Sequence, residues 1–417
     1  MLLAVRRHRF LAFVLVISVP GGRAARAEEA LGAQVFVEIV LRSHPGARQA
    51  AAVEAAAGAE RKAARQIPDP TLELSWDRAT PEGSGAASTE TAFSVSQTLP
   101  WPGTRAANVR AGDRAAEALR AEAAAARWEL AIDARTAFAR LLHARAALDI
   151  ARGAEADALG LRDLAAKRAE LGETREVDRI KAEVEWLRQQ RARRSLEREA
   201  EAAETILRTL AVEPLPRPLA LAGELPRPSP RADADALRER LARSNPRLAA
   251  ARATAAREAA RLSASRRGRV PDLDLTWFRE KELDKNAHGF SVGLRVPLWN
   301  ANRAEIARAA AARSLAEATA ERVALDLEAA LERARQELDV ASTEAEMLER
   351  DILPAARRSL ELARFSYGEG ETSLLDLLDA QRTFRETERQ ALASRLALAQ
   401  ALADVQRLVG PDFDPGK

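Results

Sequence analysis

The sequence predicts a mainly α-helical fold with a small β part, built as a tandem repeat of one unit. Two turns, at Gly172 and Gly370, each interrupt a strongly helical pattern, as a tight connection between antiparallel helices requires. The two glycines are 198 residues apart (370 minus 172), and Asp178 and Asp376 follow them at the same separation (376 minus 178). Each half of the chain also has two short segments of alternating apolar and polar residues, which is typical of strands. We therefore expect two copies of a helix, a β-hairpin and a long helix pair.

The composition argues against several classes of protein. The 417 residues contain no cysteine, so neither a disulfide framework nor a thiolate metal site is expected. Lys and Arg total 65 against 62 for Asp and Glu, a net charge of +3 spread through the chain, which argues against nucleic acid as a partner. Aromatic residues are only 4%, whereas alanine is abundant, which favours long helices packed through small side chains. With 4 His, 2 Met and no nucleotide-binding fingerprint, we expect no metal site and no cofactor.

The N-terminus has the pattern of a secretory signal peptide over residues 1–27. Three arginines precede an apolar run from Phe10 to Val19, and the small residues around Arg26 suit cleavage after Ala27. A membrane anchor is the alternative, but the run is about half of the roughly 20 residues that a helical span needs. No cysteine follows the cleavage site, so the exported chain is not expected to be a lipoprotein.

The first repeat covers residues 28–212. Apolar and polar residues alternate in TLELSWD, and a second alternating run ends before Pro100, so the sequence predicts a β-hairpin over 71–99. The region 105–171 then has a helical pattern without proline, which at about 1.5 Å per residue would be on the order of 100 Å long. Two glycines within it allow one bend or break. After the tip near Gly172 the chain is expected to return as a second long helix.

The second repeat covers residues 232–410 and follows a proline-rich crossover over 213–231, which we expect to wrap on the surface. The segments VPDLDLTWF and FSVGLRVPLW repeat the strand pattern, which predicts a β-hairpin over 271–298. A second long helix pair follows, with its tip near Gly370. Residues 411–417 are expected to form a short C-terminal tail.

The first helix of that pair has the pattern of a coiled coil. Apolar residues recur at the a and d spacing of a heptad repeat, with small side chains at several of the positions. They are Leu331, Ala334, Leu338, Ala341, Ala345, Leu348 and Ile352. Pro354 follows and is predicted to kink or break the helix before its tip.

The four predicted strands need partners. Each is about ten residues long with one apolar face, and aromatic residues are expected at the strand ends, as in the aromatic belts of a transmembrane barrel. The four tryptophans concerned are Trp76, Trp101, Trp277 and Trp299. Two soluble hairpins packed on helices are the alternative. Since open edges are not tolerated in lipid and four strands cannot close, several chains must contribute to one barrel, and three chains would supply twelve strands.

Four motifs resemble those of the TolC family of outer-membrane efflux ducts, most closely its CzcC/CusC-type branch that serves heavy-metal efflux pumps. They are PDPTLELSW, SQTLPWPGTR, VPLWNANR and FSYGEGETSLLDLLDAQ, and the resemblance covers nearly the whole mature chain. It implies a homotrimer with a twelve-stranded barrel in the lipid of the outer membrane of a Gram-negative bacterium, and a long coiled-coil helical barrel in the periplasm. It also implies docking of a periplasmic adaptor protein and an inner-membrane RND pump at the helical tips.

The resemblance also implies a set of gate residues at the periplasmic entrance. Asp376 and Asp379 match acidic positions that ring the constriction, and Tyr367 matches an aromatic residue at the tip. Their repeat equivalents Asp178 and Lys181 join the set, and Lys181 could pair with the two carboxylates. Residues at i and i+3 share a helix face, so three chains would bring six carboxylates together and attract cations. The alternatives are a capping-box role for Asp376 and a solvated helix face for Asp379.

The turn residues of both tips are the expected contact with the adaptor. They are Gly172, Glu173, Thr174, Gly370, Glu371 and Thr372. A solvent-exposed connector is the alternative. Thr372 departs from the family pattern, because some members carry an arginine there that helps to latch the closed entrance.

The expected function is a passive duct of a tripartite efflux system, with heavy-metal cations as one candidate cargo. A periplasmic coiled-coil adaptor is the alternative, although adaptors have one helical hairpin and this chain has two. An enzyme that uses Asp376 and Asp379 as an acid–base pair is disfavoured, since the chain offers no pocket-forming fold.

Overall fold

The computed structural model describes residues 30–411, apart from several short gaps. The gaps are 80–87, 229–232, 282–285, 295, 297, 298 and 300. The predicted signal peptide, the tail after Pro411 and the loop of the first hairpin therefore lie outside the described residues.

Nine α-helices and six strands make up the described chain. The helices are α1 Ala33–Ser43, α2 Pro45–Ala63, α3 Pro102–Glu170, α4 Glu176–Ala211, α5 Ala234–Ser244, α6 Pro246–Arg267, α7 Arg303–Met347, α8 Leu353–Gly368 and α9 Leu374–Val409. The strands are β1 Leu31–Gly32, β2 Thr71–Ala79, β3 Ser88–Leu99, β4 Leu221–Ala222, β5 Leu273–Lys281 and β6 Asn286–Leu294. The order helix, hairpin and long helix pair thus occurs twice.

Helix α3 is the longest element of the first repeat, and the other helices of that repeat pack along it. It runs for 69 residues without a break, on the order of 100 Å, so Gly153 and Gly160 cause no interruption. It begins at Pro102, where the missing N–H of proline costs no helical hydrogen bond. Twelve of its nineteen buried residues are alanine, which lets the helices packed against it, α2, α4, α6 and α9, approach closely. Close helix packing through small side chains therefore replaces a thick core.

Larger apolar side chains gather where the shorter helices meet the long ones. In the first repeat Phe36 of α1 packs on Phe138 of α3, with ring centroids 6.1 Å apart, beside Leu207 of α4. In the second repeat Leu241 of α5 and Val405 of α9 occupy a similar cluster. These clusters fix the shorter helices to the body of the molecule.

The proline-rich crossover after α4 is fixed to the first repeat by a short strand pair and an ion pair. Strand β4 pairs in parallel with β1, with Leu31 opposite Leu221, and Leu219 lies buried in the cluster around Phe36. The carboxylate of Glu213 accepts two hydrogen bonds from Arg42, at 2.8 and 3.2 Å. This pair of two-residue strands was not predicted, because segments that short carry no periodic signal.

The two hairpins join into one antiparallel sheet with the order β2-β3-β5-β6. Val95 of β3 lies opposite Leu72 of β2 on one side and Trp277 of β5 on the other, and Trp277 lies opposite Phe290 of β6. Among the described residues no strand lies beside the outer edges of β2 and β6. One chain therefore supplies a four-stranded sheet with two open edges.

The sheet has one apolar and one polar face. On the apolar face, the register brings Leu, Val, Phe and Trp side chains of all four strands together, and Leu72, Trp76 and Phe290 are 67%, 69% and 84% exposed. On the polar face the Ser96 and Thr276 hydroxyls lie 2.7 Å apart. The helices within the described residues leave the apolar face uncovered, which argues against soluble hairpins packed on helices.

The position predicted for two tryptophans is wrong. Trp101 and Trp299 do lie beyond strand ends, but Trp76 and Trp277 lie within β2 and β5. Trp277 is at the centre of the sheet and packs edge-on against Phe93, with ring centroids 5.9 Å apart. Alternating segments show which residues share a face, but they do not show how far a strand continues beyond an aromatic residue.

The coiled-coil pattern of α7 continues only to Leu348. Leu331, Ala345 and Leu348 are buried, but Ile352 is 41% exposed, so its predicted place in the seam is wrong. A π-helical turn, Leu348–Ile352, separates α7 from α8 and inserts one residue into the repeat. The seam consequently resumes one position late, at Ala356 and Leu360. The π turn lies just before Pro354, which has no N–H to donate a hydrogen bond within the helix. The chain nevertheless continues as helix α8 and does not break.

Gly112→Ala tests the close packing of α3 on the end of α2. A Cβ at Gly112 would lie 2.2 Å from the Cβ of Ala64, so the variant must separate the two helices. We expect a loss of about 1–3 kcal/mol in stability, measured by thermal unfolding of the detergent-solubilised protein. The control is Gly153→Ala, where no described heavy atom comes within 4 Å of the new Cβ, and helix propensity should raise stability slightly. Equal effects of the two substitutions would contradict the packing.

Candidate functional site

Both tips are built by the same turn. Gly172 and Gly370 adopt φ values of +72° and +80°, which side chains with a Cβ rarely tolerate. In each turn the N–H of the following glutamate donates to a carbonyl five residues back, from Glu173 to Arg168 at 2.8 Å and from Glu371 to Ser366 at 2.9 Å. This is the Schellman pattern that ends a helix at a glycine. The repeat seen in the sequence is therefore also a repeat of backbone structure.

A capping box starts the helix after the second tip. The Ser373 hydroxyl accepts from the backbone N–H of Asp376 at 3.3 Å, and the Asp376 carboxylate accepts from the Ser373 N–H at 3.1 Å and from its hydroxyl at 2.7 Å. The capping-box role that was the alternative for Asp376 is thus observed, with Ser373 as its partner. These hydrogen bonds, that from the hydroxyl first, lower the pKa of Asp376. The Asp376 side chain remains exposed, but one of its oxygens is committed to the cap.

Asp379, unlike Asp376, takes no part in the cap of α9. It lies one turn further along α9, exposed and on the same helix face as Asp376. Lys181 does not approach either carboxylate within the described chain. Its ammonium lies 3.9 Å from Asp178, which is buried and also pairs with Arg175 at 3.2 Å. The two tips therefore differ in charge: the first carries a partly neutralised aspartate and the second carries two exposed ones.

Tyr367 joins the two helical hairpins. Its ring is 9% exposed and packs in a cluster with residues of α3, α4, α8 and α9, including Leu161 and Leu377. The guanidinium of Arg168 in α3 lies 5.2 Å from the ring centroid, a cation–π contact. Arg364 of α8 also reaches back to Asp157 of α3 at 2.6 Å. Near the tips, then, the first and second hairpins are held side by side.

A buried ionic cluster that the sequence analysis missed lies further from the tips. Glu185 of α4 is 3% exposed, and its carboxylate accepts from Gln189 at 2.7 Å and from Arg382 of α9 at 3.2 Å. Arg385 lies 3.7 Å from it and donates to the carbonyl of Ala154 at 3.0 Å. Burial opposes ionisation of Glu185, but the hydrogen bonds from Gln189 and Arg382 and the two arginine charges lower its pKa. The cluster joins α4 to α9.

The described residues offer neither a metal site nor a membrane-spanning helix. No group of three or more His, Cys, Asp or Glu residues in this part of the chain is arranged to hold a metal ion. None of the described helices combines the length and the apolar character needed to cross a membrane.

Comparisons with known proteins agree on one family. Residues 237–411 match the family described as outer membrane efflux protein. The chain is 25% identical over 349 residues to the cobalt-zinc-cadmium resistance protein CzcC of Cupriavidus metallidurans. The aligned residues cover 83% of this chain and 82% of that protein.

Solved structures share the fold over nearly the whole chain. The outer-membrane channel OprN superposes with a TM-score of 0.75 at 21% identity, covering 91% of this chain and 89% of that one. CusC superposes with a TM-score of 0.72 at 18% identity, covering 91% of this chain and 92% of that one. Its structures concern conformational changes that accompany folding and transmembrane channel formation. The predicted resemblance and fold class are confirmed: a long-helix body with a small sheet part is shared with the solved outer-membrane channel structures.

Glu185→Gln tests the buried ionic cluster. Removing one partner of a buried ion pair leaves Arg385 uncompensated, so we expect a loss of about 3 kcal/mol or more in stability. Glu183→Gln is the control, since that half-exposed residue pairs with Arg179 at the surface and should cost less than about 1 kcal/mol. Thermal unfolding of both variants measures the difference.

The stability of the Glu185→Gln variant should also depend on pH differently from that of the wild type. The folded-state pKa of Glu185 is lowered from its ordinary value of 4.5, so its ionised form stabilises the protein above that pH, and this contribution is lost as the pH falls below it. We expect Glu185→Gln to be less sensitive than the wild type to acidification from pH 6 to pH 3. An unchanged acid profile would contradict the role of the carboxylate.

Proposed function

Since this chain belongs to the outer membrane efflux protein family, we propose that it is the outer-membrane channel of a tripartite efflux system, a passive duct from the periplasm to the outside. One observation carries the proposal: a four-stranded sheet with a bare apolar face and two open edges sits at one end of helices on the order of 100 Å long. Lipid against the apolar face and further strands at the edges would satisfy both features.

The membrane end follows from the sheet. Three copies would join β2 of one chain to β6 of the next and give twelve strands without an edge. The polar face, with the hydrogen-bonded Ser96 and Thr276, would then line the lumen, and the Leu, Val, Phe and Trp side chains would face lipid. Trp76 and Trp299, 69% and 92% exposed, would lie towards opposite boundaries of the apolar band.

The helices support a trimer as well. On α4, the exposed residues Val177, Ile180, Val184 and Leu187 are spaced by three, four and three positions, which is the a and d spacing of a coiled coil. This stripe has no helix of the same chain packed over it among the described residues. We infer that it packs against a helix of the neighbouring copy.

The tips are the proposed docking point for a periplasmic adaptor and, beyond it, an inner-membrane RND pump. Both turns lie at the end of the molecule farthest from the sheet, and both present the exposed sequence Gly-Glu at the same place in the same turn. Two equivalent turns per chain would offer a trimer six similar contact points.

Asp379 is the proposed centre of the periplasmic gate. Asp376 contributes charge, but its carboxylate also caps α9, whereas Asp379 is exposed and makes no ion pair in the described chain. Around a trimer axis these two positions would place six carboxylates close together, which favours the passage of cations. Tyr367, Asp178 and Lys181 would then hold and tune the tip next to the gate.

Heavy-metal cations are the proposed cargo. The relative from Cupriavidus metallidurans is named for resistance to cobalt, zinc and cadmium, and the exposed carboxylates at the second tip suit divalent cations. A duct that must release its cargo has no need of a tight metal site.

Asp379→Asn tests the gate. Three carboxylates would be lost from the entrance, so block of single channels by Co²⁺ in planar bilayers should weaken several-fold. Asp351→Asn, an exposed aspartate on the π turn, is the control and should leave the block unchanged. Ser373→Ala removes the cap without removing charge and separates the two roles of Asp376. Identical block of the Asp379 variant and the wild type would remove Asp379 from the gate.

Single cysteines test the adaptor contact. The natural chain has no cysteine, so Glu173→Cys and Glu371→Cys each create a unique attachment point for a crosslinker. We expect both to crosslink to a co-expressed adaptor, whereas Glu122→Cys, an exposed position within α3, should not. Crosslinks from Glu122 alone would contradict docking at the tips.

A further inference from the structure

Charged side chains on the sheet are divided by sign between its two faces. Within the described parts of the four strands, Arg78, Arg279 and Lys281 share the apolar face, with His288 opposite Arg279. The acidic residues are all on the polar face; they are Glu73, Asp77, Glu90, Asp274 and Glu280. A water-exposed sheet has no reason for this separation, since mixed charges would pair across strands.

The three basic residues form what we term the basic collar: Arg78, Arg279 and Lys281. The register places Arg78 and Lys281 at the end of the sheet away from the helices, and Arg279, opposite Phe93, two residues inside that end. Lys281 lies opposite Thr91, which also lies opposite Trp76, while Arg78 is two residues beyond Trp76. Between the collar and the helices, the same face carries leucine, valine, phenylalanine and tryptophan almost exclusively, ending at Leu99, Leu273 and Leu294. The collar therefore borders the apolar band.

The size of the apolar band fits a membrane. From Leu99 to Thr91 there are eight residues (99 minus 91), roughly 27 Å along the strand. A strand tilt of about 40° reduces this to roughly 20 Å of depth, close to the apolar band of about 25 Å in transmembrane barrels. Charged residues on the lipid face are costly at the midplane and nearly free at the interface, so the level of the collar marks the boundary.

Among the described residues, the collar makes no ion pair. The helices of this chain pair many arginines with glutamate or aspartate, as at Arg179 and Arg335. By contrast, the side chains of Arg78, Arg279 and Lys281 are exposed, and none of them takes part in an ion pair among the described residues. Three exposed cations next to an exposed tryptophan are complementary to a layer of anionic head groups.

We propose that the basic collar binds the phosphate groups of lipids in the outer leaflet and so fixes the depth of the barrel in the membrane. The proposal rests on the proposed function, which puts the sheet in the outer membrane with the helices on the periplasmic side. The long side chains extend from the edge of the apolar band to the head groups, and Trp76 packs at the same level.

Lipid binding to purified protein tests the proposal. Delipidated trimer in detergent is titrated with lipid A carrying its two phosphates, with dephosphorylated lipid A and with inorganic phosphate, and bound lipid is counted by native mass spectrometry. We expect the phosphorylated lipid to bind in preference to the other two. In Arg78→Gln/Arg279→Gln/Lys281→Gln its affinity should fall roughly fivefold per residue removed, on the order of 100-fold in total.

Two further variants act as controls. Lys62→Gln/Arg322→Gln/Arg358→Gln removes two arginines and one lysine from exposed helix positions and should bind like the wild type. Arg78→Lys/Arg279→Lys/Lys281→Arg keeps the charge and should retain most of the binding. Equal binding of both lipids by the wild type, displacement by inorganic phosphate, or an equal loss in the helix control would each overturn the proposal. Conductance of the wild-type protein in planar bilayers tests the channel itself independently.

Discussion

The open edges of the four-stranded sheet constrain everything else in this molecule. Strands β2 and β6 each leave one row of backbone N–H and C=O groups without a partner in the described chain, and the face between them is apolar. Water would satisfy the edges but not the face, and lipid would satisfy the face but not the edges. Both requirements are met together only when copies of the chain pair edge to edge and close a barrel. The single chain leaves its own hydrogen bonds incomplete, and the proposed trimer would complete them.

The helical body solves a different problem, which is to extend far from the membrane with few large side chains. Alanines along α3 let its neighbours pack closely, and Gly112 fits against Ala64 where not even a methyl group has room. The hairpins are then joined by polar contacts, among them Arg364 with Asp157 and the buried Glu185 with Arg382. Such contacts depend on the distance and angle between a few atoms, so small movements of the helices can break them. The proposed gate near the tips would use that property.

The sequence predicted the elements of this fold well and their pairing poorly. Helices, tips and strand faces follow from local periodicity, and the cap of α9 follows from the spacing of Ser373 and Asp376. Contacts between distant segments have no such signal: the pairing of β3 with β5 and the approach of Glu185 to Arg382 join residues more than 170 positions apart. The exposure of Ile352 was also missed, because a π turn shifts the heptad by one residue without changing the composition. The gate and adaptor residues came from family resemblance and remain predictions.

Closure of the barrel is the central claim, and hydrogen exchange of the detergent-solubilised protein tests it most directly. The outward-pointing amides of β2 and β6 are compared with those of β3 and β5, which have a strand on both sides in the single chain. If neighbouring copies pair at these edges, all four strands should exchange with similar, slow kinetics. If the edges instead face solvent or detergent, the outward amides of β2 and β6 would exchange much faster than the inner strands, and the account of this chain as one third of a barrel would be contradicted.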